Sequence, residues 1–365
     1  MAVGTIGNRL VTEYHTIPHF GFFAFSFRLK SSIIYLCKRN EPFEGELTME
    51  NSVSRRLVTR SDFDGLVCAM ILKELNLIDE IKFVHPKDVQ DGKVDIRSTD
   101  ITTNLPFDPR VGIAFDHHES ELTRLVGVDY KGRYIIDPDA RSAARVVFDY
   151  YGGHEKLPRI SEELMAAVDK GDSADFTLEE ILNPTGWVLM NFIMDARTGL
   201  GRFHDFRISN YDLMMALIDF CVEHSVDEVL ALPDVKERVD LYFEQQNLFK
   251  QQVNRLAKVY GRVVVLDLRN EETIYAGNRF MIYAMHPETE ISVHVAWGFK
   301  KQNTAVMIGK SIINKNSNAD IGALCLSYGG GGHRNAGTCQ LANDKVDEEL
   351  PKIIERLNQD CTPID

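Results

Sequence analysis

From Arg55 onward the chain repeats one pattern: a short apolar strand, a polar cluster at its end, then a stretch of helix length. That alternation restricts the fold to α/β with a mainly parallel N-terminal sheet and flanking helices, because parallel neighbours need a long crossover, usually helical. Leu57-Val58-Thr59 reads as a strand running into Ser61-Asp62-Phe63-Asp64-Gly65, followed by a helix from Leu66 to Leu75. Strands are expected at Ile81 to Val84, Ile101 to Leu105, Val111 to Phe115 and Tyr134 to Ile136, and helices at Ser142 to Tyr151 and Ser161 to Lys170. Ligands in open α/β sheets sit outside the carboxyl ends of the strands, where these polar clusters fall.

A long connector helix is expected from Val235 to Tyr260, opened by a capping-box-like Asp234 and Glu237 and stopped by Gly261. Beyond it, strands at Val263 to Leu268, Phe280 to Ala284, Ile291 to Ala296 and Ala305 to Ile308, with helices at Ile321 to Tyr328 and Glu348 to Leu357, indicate a smaller α+β domain. The expected organisation is a peripheral extension 1–48, a metal-binding catalytic domain 49–205, a helical connector 206–261 and a substrate-binding domain 262–365. Met49, immediately before the first organised segment, is a second candidate for the first translated residue.

Forty-one basic against 54 acidic residues give a formal charge of −13, which argues against indiscriminate binding to nucleic acid or an anionic membrane. A polyanionic substrate must therefore meet a local basic patch or a metal. The longest apolar run, Phe20 to Cys37, is interrupted by Arg28 and Lys30, so no membrane span is expected. Six scattered cysteines without a C-x-x-C pair fit a reducing, cytoplasmic setting.

Four clusters carry chemistry. Asp62 and Asp64 flank one residue at a strand end, an arrangement suited to a hard cation, although for the pair alone an Asx turn or helix cap before Leu66 is the simpler explanation. Asp116-His117-His118 follows an apolar strand, and adjacent histidines beside an acid make a divalent-metal constellation that suits manganese, zinc or iron better than calcium, with manganese favoured where carboxylates dominate. Asp169 and Asp172 end a helix, where acids oppose the dipole and are compensated either by a cation or simply by solvent at the helix end. Gly329-Gly330-Gly331-Gly332-His333-Arg334 offers close backbone approach and donors for phosphate, as an anion nest or simply a flexible loop. Between Ile291 and Arg334 stand Lys300, Lys301, Lys310, Lys315 and Arg334 against Asp320 alone, which supplies the basic patch.

In order and spacing, these clusters resemble the DHH phosphoesterase superfamily with its C-terminal DHH-associated domain, from about Arg55 to the end. The closest group includes oligoribonucleases that also hydrolyse nucleoside bisphosphate, cyclic-dinucleotide phosphodiesterases and exopolyphosphatase-related proteins. The resemblance implies a Mn2+-dependent hydrolase, with Mg2+ as an alternative, working on a short phosphorylated nucleotide or oligonucleotide between two lobes. It implies that Asp64, His117 and Asp169 hold one metal and that Asp62 belongs to a second. Asp116 would orient His117, His118 would face the scissile phosphate, and Gly330, Gly331, Gly332, His333, Arg334, Lys310 and Ser311 would bind substrate. A homodimer is left open.

The chain departs from the family pattern near the first metal. Val58 and Arg60 stand where many members have a histidine or an acid, and Asn104 takes the register of the bridging aspartate, with Asp100 and Asp108 as nearby substitutes. These departures favour one metal over two. The alternatives to a phosphoesterase of short nucleotides are a catalytically weakened nucleotide sensor and an exopolyphosphatase.

Overall fold

The computed structural model describes residues 34–36, 55–118, 121, 125 and 128–363. The chain divides into two compact units, one running through Ser173 and including Asn210–Ser225, the other made of Ala174–Ser209 and Val226 to the end. This division does not follow the expected boundaries at 205 and 261. Of the expected extension 1–48, only Ile34–Leu36 lies within the described residues, and it forms an edge strand, β1.

In the first unit a six-stranded sheet combines β1, β2 (Arg56–Arg60), β3 (Glu80–Val84), β4 (Ile101–Thr103), β5 (Ile113–Asp116) and β6 (Arg133–Ile136) in the order β1-β6-β5-β4-β2-β3. Neighbours from β3 through β6 are parallel, and β1 alone runs antiparallel, against β6. Helix α1 (Phe63–Glu74) is buried along Phe63 to Leu72 because its apolar residues go all round, the pattern of a helix enclosed by neighbours. It packs against α3 (Ala143–Tyr150), α4 (Glu162–Asp172) and α7 (Asn210–Glu223), which explains why α7 belongs to this unit rather than to a connector. The short α2 (Pro86–Gln90) contributes Val89 to a second apolar cluster with Val58, Val94, Leu105, Ala114 and Ile136.

The turn from β2 into α1 explains part of the Asp-Phe-Asp-Gly sequence. Asp62 is the N-cap, its side chain accepting the Gly65 amide at 3.0 Å. A Cβ on Gly65 would lie 2.0 Å from the Arg60 carbonyl oxygen, so only glycine lets the helix start this close to the strand. At the start of β2, Arg56 pairs with Asp100, the residue before β4, at 2.8 Å, both buried.

The second unit holds α5 (Leu178–Leu182), α6 (Gly186–Met194), α8 (Val226–Ala231), the 24-residue α9 (Pro233–Leu256) and a mixed sheet of β7 (Ala257–Tyr260), β8 (Val263–Asp267), β9 (Ile291–Trp297), β10 (Thr304–Lys310), β11 (Gly331–His333) and β12 (Ala336–Leu341) in the order β11-β12-β10-β9-β8-β7. The expected long helix is shorter at its C-terminal end. Ala257 adopts extended backbone, and β7 (Ala257–Tyr260) turns through Gly261 at φ +63° to pair with β8 (Val263–Asp267). The helix opens on Pro233 after a Leu232 cap, with no side-chain capping bond, so the expected Asp234 capping box does not form.

Phe280 to Ala284, expected as a strand, lies instead largely in helix α10 (Met281–Met285). Asn278 accepts the Phe280 amide through its side chain and the Met281 amide through its carbonyl, which starts a turn that periodicity in so short an apolar run cannot announce. Strands β9 (Ile291–Trp297) and β10 (Thr304–Lys310) form with Val263, Val265, Val306 and Ile308 a core covered by α11 (Ile321–Ser327) and α12 (Val346–Gln359). Residues Gly331–His333 are β11, a hairpin partner of β12 (Ala336–Leu341). Among the described residues, no helix is long and apolar enough to cross a membrane.

Candidate metal centre

Asp64 sits in the first turn of α1, just past the carboxyl end of β2, and is buried. Its Oδ1 accepts the Ala144 amide at 2.8 Å, and its Oδ2 accepts the Asn104 side-chain amide at 2.7 Å and the Ala143 amide at 3.3 Å. Two of these donors come from the open N-terminus of α3, which favours an anion. His117 follows β5 directly. Its Nδ1 lies 3.3 Å from the Ala140 carbonyl, which fixes the Nδ1–H tautomer and leaves Nε2 as the ligand atom.

Asp172, the last residue of α4, places Oδ2 2.8 Å from His117 Nε2. That nitrogen is buried, and the Asp172 carboxylate pairs with it. Asp64, His117 and Asp172 each offer a ligand atom within 4.8 Å of the others. A buried imidazole nitrogen set beside two carboxylates, one nitrogen and two oxygen donors, fits a divalent cation of the Mn2+ or Mg2+ type.

The electrostatics without a cation show how strained the cluster is. Burial, reinforced by Asp172 and Asp62, pushes Asp64 up to about 7 against the pull of His117 and the Ala144 amide. Burial alone would lower His117, but Asp172, Asp64 and Asp116 outweigh it and lift the imidazole to about 9. Burial likewise opposes the ionised Asp172, yet His117, His118 and Arg60 bring it below its ordinary value.

The sign of the pH effect follows. A cation must displace the His117 proton and needs Asp64 ionised, so its apparent affinity rises as pH climbs from 6.5 through 9. The cation-free protein moves the other way. The stabilisation of protonated His117 is full below its unfolded value and lost through about 9, while the cost from Asp64 builds between the ordinary carboxylate range and about 7, where only the unfolded state has ionised, and is already complete above that. Manganese at about a hundredfold over its Kd should therefore raise the melting temperature by roughly 5–10 °C at pH 8.5 and by clearly less at pH 6.5. Differential scanning fluorimetry at both pH values checks this.

The structure distributes the remaining candidate residues differently from expectation. Asp169 does not join His117: its Oδ1 accepts from Ser142 Oγ at 2.7 Å, and its Oδ2 from Arg145 Nε and Nη2 at 2.9 and 2.7 Å. Asp172, three residues on, takes the place expected for it. Asp62 caps α1 with one oxygen, and its Oδ2 lies 3.0 Å from Arg60 Nε. Asp116 orients His118 rather than the ring of His117: Oδ1 meets His118 Nδ1 at 2.7 Å and also accepts the His117 amide. Asp116 outweighs the effect of burial and keeps the His118 imidazole above its ordinary value. Asp100 and Asp108 are engaged by Arg56 and Arg110, so neither substitutes for Asn104.

In the second unit the glycine run is a capped helix end leading into a strand. The Gly329 and Gly330 amides donate to the Leu326 and Cys325 carbonyls at the end of α11, with Gly329 at φ +73°. A Cβ on Gly332 would lie 2.3 Å from the Ala336 carbonyl oxygen, whereas one on Gly331 would meet nothing within 4 Å. His333 and Arg334 are exposed, and Lys310 is pushed below its ordinary value by burial and then by Arg334, so two cations stand near each other here. Ser311 is buried and its hydroxyl accepts the Ile313 and Asn314 amides, which gives it a turn-forming role.

Asp64 and His117 at the carboxyl ends of parallel strands, with Asp172 at the end of α4, define an α/β protein whose cluster of donors could hold a divalent cation. No family model and no curated protein matches the chain. Among solved structures it is similar to a pGpG-specific phosphodiesterase, PggH, from Vibrio cholerae, with 56% identity, 84% of this chain and 100% of that chain covered, and a TM-score of 0.70. RecJ from Thermus thermophilus in complex with Mn2+ is a distant likeness, at 16% identity over 85% of this chain and 53% of that one, with a TM-score of 0.47. The chain belongs to the DHH superfamily of phosphoesterases.

Proposed function

We propose that this chain is a metal-dependent phosphodiesterase that cleaves a 5′-phosphorylated dinucleotide of the pGpG kind to mononucleotides. The observation that carries the reading is 56% identity over the whole length of a pGpG-specific phosphodiesterase, together with the Asp64, His117 and Asp172 donor set. These three residues would hold a Mn2+ or Mg2+ ion. When bound, such an ion polarises a phosphoryl oxygen and lowers the pKa of water.

The other residues act by position and charge. Asp116 holds His118 through Nδ1 and favours its protonated form, so the imidazolium can stabilise developing charge on a phosphate oxygen or protonate the leaving group. Asn104 and the two α3 amides hold the Asp64 carboxylate in one orientation. Gly331, His333, Arg334 and Lys310 are the proposed substrate contacts of the second unit, the glycine because its open face admits close approach.

The test is turnover by the manganese-loaded protein on pGpG, adenosine 3′,5′-bisphosphate, a longer oligoribonucleotide and polyphosphate. Hydrolysis of pGpG should release two GMP and be the fastest of the four. Phosphate release from polyphosphate with none from pGpG would replace this reading with the exopolyphosphatase one.

A further inference from the structure

Three features of the first unit crowd the place where Asp62 would share a second cation. Arg60, at the end of β2, directs Nε to within 3.0 Å of Asp62 Oδ2 and keeps about a quarter of its side chain exposed at 28%. Asn104, at φ +52°, turns its amide nitrogen toward Asp64 and leaves its own Oδ1 buried without a hydrogen-bond partner, so a neutral amide oxygen stands where a charged carboxylate would bridge two cations. Val58, on β2, is wholly buried in the apolar cluster under the sheet and offers no ligand. A guanidinium and a neutral amide thus occupy ground where a second cation needs carboxylate or imidazole, and an arginine fork has further N–H donors suited to phosphate.

We infer that the site works with one cation and that Arg60, steadied by Asp62, is a phosphate-contacting residue that supplies the second positive charge. The inference rests on the phosphoesterase reading for its substrate, but not for its test. Elemental analysis after manganese loading should give one ion per chain in the wild type and in Arg60→Ala alike. Inorganic phosphate, titrated calorimetrically into the manganese-loaded proteins, should bind at least tenfold more weakly to Arg60→Ala, with Arg60→Lys between the two. On pGpG, Arg60→Ala should raise KM by roughly 10- to 100-fold.

Two manganese ions per wild-type chain would overturn the inference, as would phosphate affinity unchanged by Arg60→Ala. A wild type that binds one ion and loses phosphate affinity on Arg60→Ala, yet cleaves no dinucleotide, would uphold the inference and sink the proposed substrate instead. An Arg60→Ala protein that takes up no manganese would also count against it, because Arg60 would then be building the metal site rather than meeting the phosphate.

Discussion

Asp172→Asn should lower manganese-dependent hydrolysis about a thousandfold, whereas Asp169→Asn should leave the folded fraction active. The first change removes a charged ligand atom from the group around His117, and losing several kcal/mol of charge stabilisation corresponds to roughly three decades in rate. The second breaks the contact of Asp169 with Arg145 and Ser142, which lies between α3 and α4. Arg145 keeps only the longer 3.4 Å contact with Glu162 when Asp169 is neutralised, a loss of about 2 kcal/mol, so Asp169→Asn should melt a few degrees lower. Rates and melting curves on both variants, with and without manganese, separate the two roles. Equal loss of the manganese-induced thermal shift in both would mean that Asp169 also holds the cation.

Gly65→Ala should abolish soluble folding. The added methyl would sit 2.0 Å from the Arg60 carbonyl oxygen, a backbone atom that cannot move without lifting α1 off β2. Helix α1 is enclosed by α3, α4 and α7, so such a shift would disturb the whole first unit, an effect above about 4 kcal/mol. The measurement is soluble yield and a circular dichroism melt beside the wild type. Gly331→Ala is the control, since its methyl meets open space and should cost little stability.

Much of the site was readable from where the polar clusters fall. Asp64 and His117 follow apolar strands of one parallel sheet, and both lie at the carboxyl ends as that topology requires. The choice between Asp169 and Asp172 was not readable. It depends on which turn of α4 faces α3, and the signal was Arg145, a cation on α3 placed to claim Asp169 and leave Asp172 for the histidine. Asp116 invites the same confusion: it touches the His117 backbone but the His118 ring, a matter of side-chain torsion rather than of spacing.

In the second unit the departures come from short segments. An apolar run such as Phe280 to Ala284 suits strand or helix, and only the Asn278 turn decides. The four glycines resemble a free loop in one dimension, yet Gly329 caps α11 and Gly331–His333 pair with β12, because Thr338 and Ala336 lie opposite them in a hairpin.

The most direct test is an anomalous difference map from crystals soaked in manganese. One peak enclosed by Asp64, His117 and Asp172, with Arg60 outside the coordination sphere, is the result expected. A peak bound to Asp169, or none with His117 Nε2 still paired only to Asp172, would contradict the account.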